Sequence, residues 1–472
     1  MYESTLFERQ GMDMDDYTGY GKADFGDKRL SNRLPRILEQ LSSDPTASIS
    51  AACGDPYQAK AIYRFTGNDG VTTDAITKIT REVTMDNITA AKPPVLLVLQ
   101  DTSELNFSNL EATNGLGSIA GRKSARGIEI HSGIATSEDG EIFGLLAQKI
   151  WTRPPEMFGK SDERSKKVPI EEKESYKWLE TMDNVGTGFP EGTQVVYVCD
   201  READIYEMFC KAEKEGKQYL CRRRSDRNIE EDGAKKLEDY GNALPEAGRI
   251  TLHIPRDSHT KRKARDAEVA IKYGKCRITK PANFYKGDKY PEMPESVEIN
   301  IIMAVEIDPP EGQEKIYWQL LTNVATESFE DAVTRIQWYT RRWQIEIFHR
   351  TLKSGCKVEE LQSESAEKLK KLVAIYSIIA LQIMLLSYMA RTHPEITCEI
   401  SFTEEEWKIL YRVANKTNTV PDKAPTIGEA VVMVAKLGGF LARKSDGDPG
   451  VTVIWRGLTK FYTIMDAVPY LL

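Results

Sequence analysis

Two runs of consecutive apolar residues, each ending in an aspartate, organise the first half of this chain. Val95-Leu-Leu-Val-Leu99 follows Pro93-Pro94 and leads through Gln100 into Asp101, and Val195-Val-Tyr-Val-Cys199 leads into Asp200. Five apolar residues without polar alternation predict a strand buried on both faces. Between them, Ile128 to Thr136 and Glu141 to Trp151 read as strands joined by the turn Ser137-Glu138-Asp139-Gly140, and Glu171 to Met182 reads as a helix. The order strand, hairpin, helix, strand predicts a mixed sheet whose first and fourth strands lie side by side and parallel. Alternation and β-branched residues then return in Arg249 to Ile254, Ala267 to Thr279, Val297 to Ile307 and Lys315 to Leu321, an expected insertion of antiparallel strands.

Both ends of the chain read as helical. Asp27 to Gln40 carries Leu30, Leu34, Ile37 and Leu38 at helical spacing beside Lys28, Arg29, Arg33 and Arg36, and helix resumes at Phe329 and continues with breaks. The longest apolar stretch, Leu372 to Ala390, is interrupted by Ser377, Gln382 and Ser387 and flanked by charge, so it reads as a buried helix and not a membrane span.

Composition adds two points. A chain of 472 residues is too long for one core, so several domains are expected, and 29% charged with 40% hydrophobic residues is ordinary for a soluble globular protein. The formal net charge of −8 argues against a nucleic-acid partner for the chain as a whole, but Lys217 to Lys280 holds seventeen Lys and Arg against ten Asp and Glu. That local excess includes Arg222-Arg223-Arg224 and Lys261-Arg262-Lys263-Ala264-Arg265, a field able to track phosphates or simply a solvated face. Seven scattered cysteines without a C-x-x-C pair fit reduced thiols in a cytoplasmic protein, and the polar, acidic segment Met1 to Gly21 does not read as a secretory signal.

The chemistry concentrates in Tyr339-Thr-Arg-Arg342-Trp-Gln-Ile-Glu346-Ile-Phe-His-Arg350-Thr-Leu-Lys353. At about 100° per residue, Tyr339, Arg342, Glu346, Arg350 and Lys353 share one stripe, while Trp338, Ile345, Phe348 and Leu352 face a core. A charged stripe is usually a solvated surface. A carboxylate among cations is also what metal-dependent phosphoryl transfer requires, because hard ions such as Mg²⁺ and Mn²⁺ prefer carboxylate oxygens and Arg or Lys can grip flanking phosphates. With Asp101 and Asp200 at strand ends, where open α/β sheets form a crevice, Glu346 completes a set of three acids.

These segments resemble the insertion-sequence-four transposases, within them the Tn-five type. The helix shows that family's spacing of Tyr339, two residues, Arg342, three residues, Glu346, six residues, Lys353; Gln100-Asp101-Thr102-Ser103 resembles its first-aspartate motif and Val198-Cys199-Asp200-Arg201-Glu202-Ala203-Asp204 its second. Phe25-Gly26-Asp27-Lys28-Arg29 and Ala61-Ile62-Tyr63-Arg64-Phe65 resemble its helical end-binding region, and Ala435-Lys-Leu-Gly-Gly-Phe440 its dimerisation region. The resemblance implies an α/β fold: a ribonuclease-H-like catalytic core over 71–365, with an antiparallel β insertion at about 215–322. It is flanked by a helical N-terminal domain over 1–70 that binds transposon ends and a helical C-terminal dimerisation domain over 366–472. It implies Asp101, Asp200 and Glu346 as catalytic metal ligands for Mg²⁺, with Mn²⁺ substituting. Tyr339, Arg342, Lys353, Arg350, Arg222, Trp318, Trp343, Arg33 and Arg64 are the implied DNA contacts, Trp318 holding a flipped base and Trp343 assisting. At Arg350 the family pattern has Lys, so a planar guanidinium replaces a point charge. The implied reaction is cut-and-paste transposition: a nick, attack of the freed 3′-hydroxyl to form a hairpin, reopening, and joining to target DNA by a homodimer paired on two ends of double-stranded DNA.

Two other readings use the same residues. A ribonuclease-H-like endonuclease without strand transfer needs the same acids, and a non-catalytic DNA-binding regulator of transposition is disfavoured because the N-terminal motif and all three acids are present.

Overall fold

A computed structural model describes residues 17–119, 122–154, 168–231, 233–254, 265–282, 293–443 and 446–468. Positions 1–16, most of the polar N-terminal segment, and Lys261, Arg262 and Lys263 of the basic run lie outside the described residues.

The chain opens with short helices whose starts are written locally: α1 (Lys28–Ser31), α2 (Arg33–Ser43), α3 (Ile49–Cys53), α4 (Pro56–Thr66) and α5 (Thr73–Ala91). Asp27, Ser48, Asp55 and Thr72 each accept a backbone N–H at the first turn of α1, α3, α4 and α5, and Pro56 stands where its missing N–H is harmless. The helix expected over 27–40 divides at Asn32, a residue type whose short amide competes with helical hydrogen bonding. Leu34, Ile37, Leu38 and Leu41 of α2 turn inward, leaving Arg33 and Arg36 exposed.

The sheet begins with β1 (Val95–Asn106), β2 (Gly117–Ile119), β3 (Arg122–Ser137), β4 (Ile142–Trp151) and β5 (Gln194–Cys199). β1 lies between β3, antiparallel, and β5, parallel, the neighbour relation that the order of apolar runs predicts. The helix expected from Glu171 begins later: 170–172 and 174–176 form 3-10 turns separated by the extended Lys173, and α6 runs Lys177–Val185.

α7 (Tyr206–Glu215) returns the chain to β6 (Gln218–Arg222), parallel to β5. The insertion then supplies β7 (Asn228–Glu231), β8 (Ala234–Lys236), α8 (Leu237–Ala243), β9 (Gly248–Ile254), β10 (Arg265–Thr279), β11 (Ser296–Glu306) and β12 (Tyr317–Thr322). Its strands are antiparallel, and they extend the same sheet: β12 pairs with β6, giving the order β2-β3-β1-β5-β6-β12-β11-β10-β7-β8.

Helices α9 (Phe329–Arg341), α10 (Trp343–Arg350), α11 (Ala366–Thr392), α12 (Glu404–Asn415), α13 (Ile427–Leu437) and α14 (Val451–Ala467) complete the chain. By length and composition α11 could cross a membrane, yet it is largely buried, packing against β4, α5, α2, α13 and α14. Capping boxes at Thr403/Glu406 and Thr426/Glu429 start α12 and α13. α13 and α14 approach so closely that a Cβ at Gly457 would overlap the Val434 carbonyl, and one at Gly438 the Val453 carbonyl.

Candidate active site

The register of β1 and β5 pairs Leu99 with Val198. Advancing two residues along each strand brings Asp101 level with Asp200, just where β5 stops and β1 continues alone beside β3. Each aspartate ties one carboxylate oxygen to a nearby backbone N–H: Asp101 Oδ1 accepts from Thr102 at 2.8 Å, and Asp200 Oδ1 accepts from Glu202 at 2.6 Å, starting the 3-10 turn 201–203. Asp200 thus also caps a turn. Burial pushes the Asp101 carboxyl up to about 6, against the pull of Arg342 and the Thr102 N–H and with added repulsion from Asp200 and Glu346. Asp200 is also raised, chiefly by burial.

The third acid comes from a helix pair. Ser328 and Asp331 form a capping box that starts α9, and the β3–β4 turn clamps the α9–α10 joint. Trp338 Nε1 donates to Glu138 Oε2 at 3.3 Å, Arg341 Nε to the Glu138 carbonyl at 2.8 Å, and Gln344 Nε2 to the Gly140 carbonyl at 2.8 Å. Trp338, Ile345, Phe348 and Leu352 are buried, so the opposite side of α10 faces the strand ends. Arg342, at the joint, donates from Nη1 to Asp101 Oδ2 at 3.3 Å and from Nη2 to Glu346 Oε1. One guanidinium therefore spans the two carboxylates, and Glu346 stands on the same side of the sheet as Asp101.

Three family models match the chain in order: a transposase DNA-binding family at 19–71, the transposase DDE domain at 178–382, and the transposase Tn5 dimerisation domain at 378–471. Together they span well over half of its length. The chain belongs to the Tn5-type DDE transposases. Among solved structures, a cryo-electron-microscopy structure of a piggyBac transposase synaptic complex with hairpin DNA is 10% identical, covering 83% of this chain and 69% of that one at a TM-score of 0.34, a likeness too distant to argue from.

In this transposase the predicted single helical stripe is broken twice. Arg342 interrupts the helix, and 351–355 form a π-helical turn carrying Lys353, so residues beyond Arg350 leave the 100° spacing. Tyr339 turns inward, 6% exposed, with its ring edge-to-face on Trp318 at 5.4 Å and the Arg342 guanidinium 5.9 Å from its centre. Burial raises its phenol pKa. Arg222, at the end of β6, is half-buried and its Nη2 donates to the Tyr317 carbonyl at 3.4 Å. Trp343, 41% exposed, carries the Arg350 guanidinium 5.7 Å from its ring. The structure thus links Asp101, Asp200, Glu346, Arg342, Tyr339 and Trp318 through successive contacts, with Arg222 near Tyr339. Arg33 and Arg64 are exposed on the N-terminal helices, with no hydrogen bond or ion pair to the acids among the described residues.

A DDE domain depends on a divalent metal, and the donor set suits one: carboxylate oxygens, partly dehydrated, whose mutual repulsion a cation would relieve. As they stand, no three acidic, His or Cys side chains among the described residues are gathered closely enough to hold an ion, because the guanidinium of Arg342 occupies the space between two of them. Sequence reading missed a buried row behind the acids, Ser132, Gln148 and His349; its only trace was the His three residues after Glu346.

Proposed function

We propose that this DNA transposase works by cut-and-paste through a DNA hairpin, with Asp101, Asp200 and Glu346 holding two Mg²⁺ ions, replaceable by Mn²⁺, in a ribonuclease-H-like core. The observation that supports it most is the Arg342 bridge from Asp101 to Glu346 beside register-matched Asp200, which joins acids far apart in sequence. Bound divalent ions would activate an attacking oxygen and stabilise a leaving one. The chain's own side chains supply the rest. Arg342, Lys353, Arg350 and Arg222 bind phosphates on either side of the scissile one. Tyr339 supports Trp318, which stacks on a base turned out of the duplex, and Trp343 assists. For the phosphate to be gripped, Arg342 exchanges its carboxylate partners for phosphate oxygens, which opens the acid set to its cations.

The proposed division of labour is 1–70 for transposon-end binding through Arg33 and Arg64, 71–365 for catalysis with the insertion at about 215–322, and 366–472 for a homodimer on paired ends. The proposed place of action is the cytoplasm. The test is purified protein incubated with DNA bearing its element's ends, in Mg²⁺ or EDTA, followed by a denaturing gel. Wild type is expected to give hairpins in Mg²⁺ only; Asp101→Ala, Asp200→Ala and Glu346→Ala are each expected to bind ends without nicking them. Nicking by any of the three removes its assignment, and nicking without hairpins favours a plain endonuclease.

A further inference from the structure

On the face of the sheet that carries Asp101, one row is polar among the apolar neighbours Leu99, Ile130 and Ile134. Register places Ser132 of β3 directly opposite Asp101, and Gln148 of β4 directly opposite Ser132, so the three side chains form one row on one face. His349 lies one helical turn beyond Glu346 in α10, and its Nε2 is 3.4 Å from Ser132 Oγ. Gln148 Nε2 donates to Ser132 Oγ at 3.2 Å and to Ser377 Oγ of α11 at 3.0 Å, and the Ser377 hydroxyl donates to the Val373 carbonyl at 2.8 Å. Ser132, Gln148, His349 and Ser377 are all buried.

Two features set this row apart from ordinary packing. Its protons have a consistent assignment: with both Gln148 amide hydrogens and the Ser377 hydrogen committed, the Ser132 hydroxyl can donate to His349 Nε2 when the ring carries its proton on Nδ1. Burial, reinforced by Lys353 and Arg342, holds the ring neutral, its pKa down to about 3, so one of its nitrogens is an acceptor. The row is also retained at a loss, since Gln148 Oε1 is buried with no hydrogen-bond partner, a penalty that apolar side chains of similar size would avoid. A polar set kept against stability, joining the strand of one acid to the helix of another, has the form of a support for ligand geometry.

We propose that His349, Ser132 and Gln148 are positioning residues that set the spacing between the Asp101 and Glu346 carboxylates and so tune their affinity for a divalent cation. This rests on the three-acid reading above. The test is Mn²⁺ binding to the full-length protein without DNA, measured by electron paramagnetic resonance beside thermal midpoints. His349→Leu, which fills the space but accepts no hydrogen bond, is expected to lower the midpoint only slightly and to weaken Mn²⁺ binding about tenfold. His349→Gln, whose carbonyl can accept from Ser132, is expected to recover most of the loss. Ser132→Ala should match His349→Leu, and the double variant should add nothing. The inference is overturned if His349→Leu binds Mn²⁺ as wild type does, or if affinity merely follows the midpoint across the set. An Asp101→Ala control separates the two levels: if it leaves Mn²⁺ binding intact, the acid set itself is not the metal site and the inference falls with it.

Discussion

Single side chains in this transposase answer to more than one neighbour. Trp318 leans on Tyr339, which in turn lies beside Arg342, so its ring has a firm backing next to the Arg342 bridge. If it captures a base, Trp318→Ala will slow hairpin formation more than the first nick, by the roughly 1–3 kcal/mol of a lost base–aromatic stack; single-turnover gels resolve the two steps, and equal slowing would argue against base capture. Glu129 makes a second case away from the acids. It is 1% exposed, and burial pushes its carboxyl up to about 8, against the Arg153 guanidinium 2.7 Å away and with repulsion from Glu104 and Glu174. The folded chain then keeps a proton that the unfolded chain releases near pH 4.5, so this group's contribution to stability declines as pH rises from there to about 8. Glu129→Gln, permanently neutral, should therefore gain on wild type between pH 5 and pH 9 in thermal midpoint; a gap that does not widen with pH would show the glutamate already ionised. That Asp101 and Glu346 come close, with Asp200 level with Asp101, was legible because strand-end acids and a spaced helix motif leave local marks in sequence. Ser132 and Gln148 were not, since a polar residue in an alternating strand looks the same whether it faces solvent or a helix.

At the scale of elements, short-range signals did well and breaks in them did not. The parallel pairing of β1 with β5 follows from two apolar runs and the lengths between them. The helix expected from Tyr339 to Lys353 turns π-helical at 351–355 and divides at Arg342, where the β3–β4 hairpin reaches across to α9 and α10, a contact between residues some two hundred positions apart. No window of periodicity contains it. The close crossing of α13 and α14 is similarly silent in pattern, although its glycines are visible in the sequence. Gly457→Ala would press a methyl group onto the Val434 carbonyl, and the helices would have to separate. A loss of about 1–3 kcal/mol is expected, read as a lower urea midpoint together with weaker self-association if these helices carry the dimer. An unchanged midpoint would show that the crossing relaxes freely.

For the molecule as a whole, the insertion was expected as antiparallel strands, and four of them stand close to where the sequence put them, while β7, β8 and the attachment to the main sheet were not read. Hydrophobic alternation shows that a strand has an inner face; it does not say which strand lies alongside. Here β12 closes onto β6, so the sheet that carries Asp200 runs without interruption into the strand that carries Trp318. Cutting the chain between 222 and 317 and bridging the gap would strip β12 of its outer neighbour β11, leaving backbone donors and acceptors in search of another strand. Such a shortened chain is expected to aggregate as it folds, seen as light scattering on refolding where the full chain stays clear. A laboratory seeking a smaller enzyme would do better to trim beyond β10, keeping β11 and β12 as a selvedge that stops the weave from fraying.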